Sequence, residues 1–303
     1  MSDASGRADG WRSARGGAQL ALSIALLVAT ASLLGTAEIG VRLAGLTAGW
    51  MLAALAVLTA QLPVLALRWS WLSRRMDVPI PFGYALREYY ASTLLNQVLP
   101  GGVIGDLLRG VRHSRRAGRA MRVATTLVMD RASGQVALWA LAALSLGSGR
   151  LRWLLALPVL VATLVLAFLA AVRRSRAGTS AWDGARIFFA PRAFAVHFGL
   201  SLALALSHVA AFWCVTRSLG VPLAPSAAFA IVPLVLIAAS LPASFAGWGL
   251  REAATAGAYY LSGLAAVDGA TGSLVYGAVG LVASVPGVLF VIGRGHPRET
   301  GQP

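Results

Sequence analysis

Residues 93–109 read TLLNQVLPGGVIGDLLR, and residues 240–252 read SLPASFAGWGLRE. Each is a Leu-Pro step followed by small residues and then by an acid and an Arg. Each also lies inside a longer apolar region, 84–111 in the first case and 227–262 in the second. Proline removes a helical N–H donor and glycine frees the backbone, so both regions should break near their midpoints. Charges beside a break within apolar sequence point to discontinuous helices and away from simple spans.

The rest of the chain agrees with a membrane setting. Of 303 residues, 57% are apolar and 12% are charged, with a mean hydropathy of +0.72. An ordinary soluble domain carries roughly 25% charged residues. So few charges could not cover a core of this size, which excludes a soluble enzyme, a nucleic-acid-binding module and a disordered scaffold. All 26 basic residues are Arg, against 11 acids. In a soluble protein a net charge of +15 would suggest nucleic acid. Here the arginines punctuate apolar runs, so they read as topology signals and contacts for anionic headgroups, with no nucleic-acid partner. The lone Cys214 allows no intrachain disulfide, and the four His do not cluster, so no metal or cofactor is expected.

A span needs about 20 mostly apolar residues to cross roughly 30 Å of hydrocarbon. Six segments qualify: 18–37, 48–67, 123–147, 153–172, 193–216 and 273–292. The expected fold is therefore all-α and membrane-embedded, with six transmembrane helices, two re-entrant broken helices and inverted-repeat symmetry; eight full spans is the fallback. Residues 1–17 form a basic cytoplasmic tail, 18–292 the transmembrane domain and 293–303 a cytoplasmic C-terminal tail. If each broken region returns to its own side, eighteen Arg fall inside and four (Arg42, Arg150, Arg152, Arg217) fall outside. The positive-inside rule favours that arrangement in a cell membrane, with both termini cytoplasmic. It assigns Arg68, Arg74 and Arg75 to a cytoplasmic segment.

Four Arg remain within the apolar regions, each with an acid nearby: Arg87 with Glu88, Arg109 with Asp106, Arg131 with Asp130, and Arg251 with Glu252. Ionised groups in a bilayer are costly unless paired or wetted, and they mark pathways and binding sites. Asp106 and Arg109 share a helix face at i, i+3. Adjacent Asp130 and Arg131 point apart and must find partners on other helices. The two broken regions resemble each other, and discontinuous helices that meet near the midplane offer their termini to a charged substrate. Structural roles stand beside these readings: an ion pair closing a hairpin, Asn96 satisfying backbone freed by Pro100, a helix-start anchor at Arg251-Glu252. Tyr89, Tyr90, Tyr259 and Tyr260 read as interfacial belts.

Asn96-x-x-x-Pro100-Gly101 through Gly105-Asp106-x-x-Arg109, then Asp130-Arg131, then Gly247-x-Gly249-x-Arg251-Glu252 resemble the lysylphosphatidylglycerol synthase membrane-region family, and Pro242 of the second Leu-Pro step joins the same candidate set. The resemblance spans about 18–292. It implies a flippase-like protein that moves an anionic or aminoacylated phospholipid, or a polyprenyl-phosphate-linked glycan precursor. Those thirteen residues are then the expected binding and translocation set. The acid at 130 is Asp where the resemblance leads one to expect Glu. Bifunctional members carry an aminoacyltransferase domain after the membrane region, and with Pro303 close behind the last span no such activity is expected here. No GxxxxGK[ST] sequence is present, so ATP is not the expected driving force. Two other readings stay open: a membrane group-transferase acting on a lipid-phosphate donor with Asp106 or Glu252 as base, and a non-transporting partner of a membrane glycosyltransferase.

Overall fold

The computed structural model describes residues 3–99, 102–146, 190–240 and 246–292. Among them the chain is helical throughout, without a strand. The helices are α1 (Asp3–Leu34), α2 (Thr36–Ala44), α3 (Ala48–Arg75), α4 (Phe82–Val98), α5 (Ile104–Ala117), α6 (Ala120–Leu146), α7 (Pro191–Ser218), α8 (Pro225–Ala239), α9 (Leu250–Leu261), α10 (Ala266–Ser284) and α11 (Gly287–Ile292). The expected span at 153–172 lies outside the described residues.

Among the described residues three helices, α3, α7 and α10, are long and apolar enough to cross a bilayer. Residues Gln19–Leu34 and α2 make a fourth span if the 86° bend between them is counted within one crossing. Two boundaries differ from the hydropathy reading. The helix expected at 48–67 runs on to Arg75, because the charge of Arg68 is paired inside the protein and does not mark an interface. The last span begins at Ala266 instead of 273. Asp268 lies in the first turn of α10 and pairs with Arg42 at 2.8 Å, and a carboxylate there suits the positive end of the helix dipole.

Both broken regions break where the Pro and Gly pattern places the interruption. The first gives α4 and α5, the second α8 and α9, and within each pair the two helices pack on one another. Pro100, Gly101 and Pro242 lie outside the described residues. α3 and α7 run antiparallel as the central struts, joined at one end by the Thr47 N–H to Ser218 carbonyl bond and further along by Gln61 to Ser207 at 2.8 Å. The base of the α4–α5 pair sits at the Arg75 end of α3. There Trp69, Ile80 and Ala85 form one buried cluster, and Ser70 donates to the Ile80 carbonyl. The base of the α8–α9 pair sits at the opposite end, where Ala54 and Leu58 pack with Leu219, Val221, Ala228 and Tyr259. The tips meet: a methyl group on Gly102 would lie 3.7 Å from the Ala246 Cα.

Two glycines make these hairpins possible. Gly105 is pressed against the Ser92 carbonyl of α4 so closely that a Cβ there would collide with it, while its own N–H donates to Asn96 Oδ1 at 2.8 Å. Gly249 sits at φ +83°, a left-handed conformation, and a Cβ there would come 2.7 Å from the Ser23 carbonyl oxygen of α1. Tyr89 and Tyr259, read as interfacial, are buried instead, because the hairpins turn those faces inward.

Gly105→Ala forces α4 and α5 apart. Overpacking of this kind costs about 1–3 kcal/mol. The variant should unfold at a visibly lower temperature in detergent, whereas Gly83→Ala, which meets nothing within 4 Å, should not.

Candidate functional site

The first cluster is assembled from four helices. Asp130, on α6, is buried, and each of its oxygens is claimed. Arg68 of α3 donates through Nε to Oδ1 at 2.9 Å and through Nη2 to the Asp130 carbonyl at 3.0 Å. Its third nitrogen, Nη1, reaches Ser201 Oγ on α7 at 3.0 Å. Tyr89 of α4 donates its hydroxyl to Asp130 Oδ2 at 2.5 Å, and Arg109 Nη2 of α5 stands 3.5 Å from the same oxygen. Adjacent charges on α6 thus do find partners on other helices, as their spacing requires.

Arg109 is only 1% exposed. Its guanidinium lies 4.1 Å from the centre of the Tyr89 ring and 4.3 Å from that of Trp69, and its Nη2 is 3.0 Å from Asp106 Oδ1. Its Nε and Nη1 have no hydrogen-bond partner among the described residues. Asp106 accepts from Asn96 Nδ2 at 3.0 Å and pairs with Arg131. Asn96, Gly105, Asp106, Arg109, Asp130 and Arg131 therefore converge.

Most of these charged groups line one hollow of about 290 Å³, whose wall also includes Thr93, Gln135, His208 and Ser240. A buried ion pair gains from low dielectric only if its remaining donors and acceptors are satisfied, and here Asp130 meets that condition. The Arg131 side chain remains 48% exposed, so it supplies the reachable cation of the site.

Gly247, Gly249, Arg251 and Glu252 form a second cluster. Glu252 Oε2 accepts the Gly249 N–H at 2.7 Å and so caps α9. Its Oε1 accepts from Arg251 Nη2 at 2.8 Å and from the Ser273 hydroxyl at 3.0 Å. Arg251 lies 4.8 Å from the centre of the Trp248 ring and lines a second hollow of about 250 Å³ with Gln61, Gln97 and Tyr276. The two hollows share Leu65, Thr93, His208 and Leu236 as a common wall, where His208 Nδ1 and the Tyr276 hydroxyl are 2.6 Å apart. Among the described residues no group of His, Cys, Asp and Glu is arranged to hold a metal.

Sequence reasoning missed Arg68, Tyr89, Ser201, His208 and Tyr276. Arg68, read as part of a cytoplasmic segment, is buried between helices and paired with Asp130. Its signal was available, since it precedes the paired Arg74-Arg75 by almost two helical turns and sits among Trp69, Trp71 and Leu72. Glu88 is also buried but pairs with Arg112 at 2.7 Å, leaving neighbouring Arg87 on the exposed surface.

A bundle of apolar helices with two interrupted hairpins and an ion-paired hollow between them defines a polytopic membrane protein built around a polar interior. The chain belongs to the family described as the lysylphosphatidylglycerol synthase TM region, which matches residues 18–287. No curated protein and no solved structure matches it.

Asp130→Asn leaves Arg68 buried without its carboxylate and Arg109 with Asp106 alone. Breaking a buried pair in this way costs about 3–5 kcal/mol. Arg131→Gln removes a half-exposed partner, which is worth roughly 1 kcal/mol or less. Thermal unfolding in detergent should therefore separate the two variants widely, with Asp130→Asn much the weaker.

Proposed function

We propose that this protein moves a phosphate-bearing lipid across the bilayer: an anionic or aminoacylated phospholipid, or a polyprenyl-phosphate-linked glycan precursor. The observation that carries the reading is the first hollow. Three arginines and two aspartates line one hollow among apolar helices, and such charges are kept there at a cost that transport or binding would explain. Family membership supports a membrane-lipid role.

In this reading the two broken helix pairs are re-entrant hairpins inserted from opposite leaflets. Their bases at opposite ends of α3 and their touching tips support that arrangement. Cytoplasmic arginines gather the headgroup, Arg131 and Arg109 take its phosphate, and Arg251 receives it in the second hollow. Access alternates as one hairpin unit rocks against the other. The protein sits in the cell membrane with both termini cytoplasmic, an orientation that the Arg distribution supports even with Arg68 removed from the cytoplasmic group.

A group-transferase reading is weaker. Both Asp106 oxygens and both Glu252 oxygens already accept hydrogen bonds or ion pairs, so neither carboxylate stands ready as a base.

In liposomes containing acyl-labelled phosphatidylglycerol, the purified protein should make inner-leaflet label accessible to an impermeant quencher faster than empty liposomes do. Arg109→Gln should slow this at least about tenfold; equal rates would remove the cluster from the mechanism. In a Cys214→Ser background, a Cys at Val103 should react with an impermeant thiol reagent from the cytoplasmic side, and one at Ala246 from the other.

A further inference from the structure

Resting on the lipid-transport reading, we propose that the first hollow selects its lipid by headgroup charge, and that the class it takes is a singly anionic phosphodiester. Its wall carries Arg68, Arg109 and Arg131 against Asp106 and Asp130, an excess of one positive charge. Tyr89, Asn96 and Ser201 add none. The neighbouring charges do not change the sum, because Glu88 pairs with Arg112 and Arg251 with Glu252.

The excess charge lies in a hollow walled mostly by helices, wetted chiefly at Arg131, and a ligand of opposite unit charge removes the imbalance. The donors for such a ligand are present. Arg109 Nε and Nη1 are buried and have no partner among the described residues, and the half-exposed Arg131 side chain lines the same hollow. A phosphodiester offers two unbridged oxygens sharing one negative charge, which suits the planar donor fork of arginine.

Other headgroup classes leave the site charged. A zwitterionic phosphatidylethanolamine leaves the excess of one. A lysylated phosphatidylglycerol, net positive, raises it to two. A lipid diphosphate, with at least two negative charges, turns it negative. At an effective dielectric near 20 and separations of about 10 Å, one unit charge changes affinity by a factor of roughly ten or more.

The test is thermal stabilisation of the detergent-solubilised protein by four lipids: phosphatidylglycerol, phosphatidylethanolamine, lysyl-phosphatidylglycerol and undecaprenyl diphosphate. The wild type should bind phosphatidylglycerol at least tenfold more tightly than the others. Arg131→Gln brings the wall to zero and should shift preference to phosphatidylethanolamine. Asp106→Asn brings it to plus two and should favour the diphosphate. The double variant Asp106→Asn/Arg131→Gln restores plus one, so the wild-type ranking should return, although two contacts are lost. A ranking that ignores these changes, a wild type that prefers the lysylated lipid, or no stabilisation by any of the four would overturn the proposal. Selective stabilisation in a protein that fails to move lipid in liposomes would leave charge selection standing and defeat the transport reading alone.

Discussion

Asp130 is the group on which the described half of the site depends. In a medium with little water, a carboxylate and its cations must satisfy each other within the protein, and one buried side chain here does so for three neighbours. Its oxygens tie α6 to Arg68 on α3, to Tyr89 on α4 and to Arg109 on α5. Through Arg68 and Ser201 the network also reaches α7. Helices that pack only by apolar contact can slide in lipid, where no hydrophobic force separates one greasy surface from another. A directed ion-pair hub fixes their register instead. The first hairpin is thus held in place by the same charges that polarise the hollow.

The second hairpin is built differently, although its sequence looks alike. Arg251 and Glu252 satisfy each other locally, with Ser273 on α10 and the Gly249 N–H completing the group. Among the described residues its side-chain hydrogen bonds reach one other helix, α10. The first cluster has an excess of positive charge and spare arginine donors, while the second is self-neutral. If a headgroup passes from one hollow to the other, it moves from a site with an electrostatic claim on it to one without, across the wall where His208 and Tyr276 touch. Such an asymmetry suits capture at one face and release at the other.

The breaks in both hairpins were legible because Pro and Gly act locally, through a missing donor and a free φ. The Asp106–Arg109 pair was legible because helical geometry fixes which residues share a face. That Asp130 and Arg131 look elsewhere for partners followed from the same geometry, but the partners did not. Arg68 lies 62 residues from Asp130 in the chain, and no local pattern encodes that contact. Hydropathy read Arg68 as the end of a span since it scores a charge without knowing whether a carboxylate waits beside it. Tyr89 was misplaced for a related reason: a tyrosine near a helix start suits an interface or a buried acceptor equally well.

The exclusive use of arginine has a different weight at different positions. In the exposed last turn of α5, Arg115 need only carry charge, and lysine would serve there as well. At Arg109 it would not. The guanidinium offers flat faces to Tyr89 and Trp69 while one edge nitrogen meets Asp106 and Asp130. A compact ammonium has no flat face to stack between two rings. It is also more strongly hydrated, so burying it to the same depth would cost more. The planar cation lets a full charge rest at 1% exposure and still hold two donors in reserve. A site that must stay assembled when empty and bind an anion when one arrives requires both properties of the same side chain.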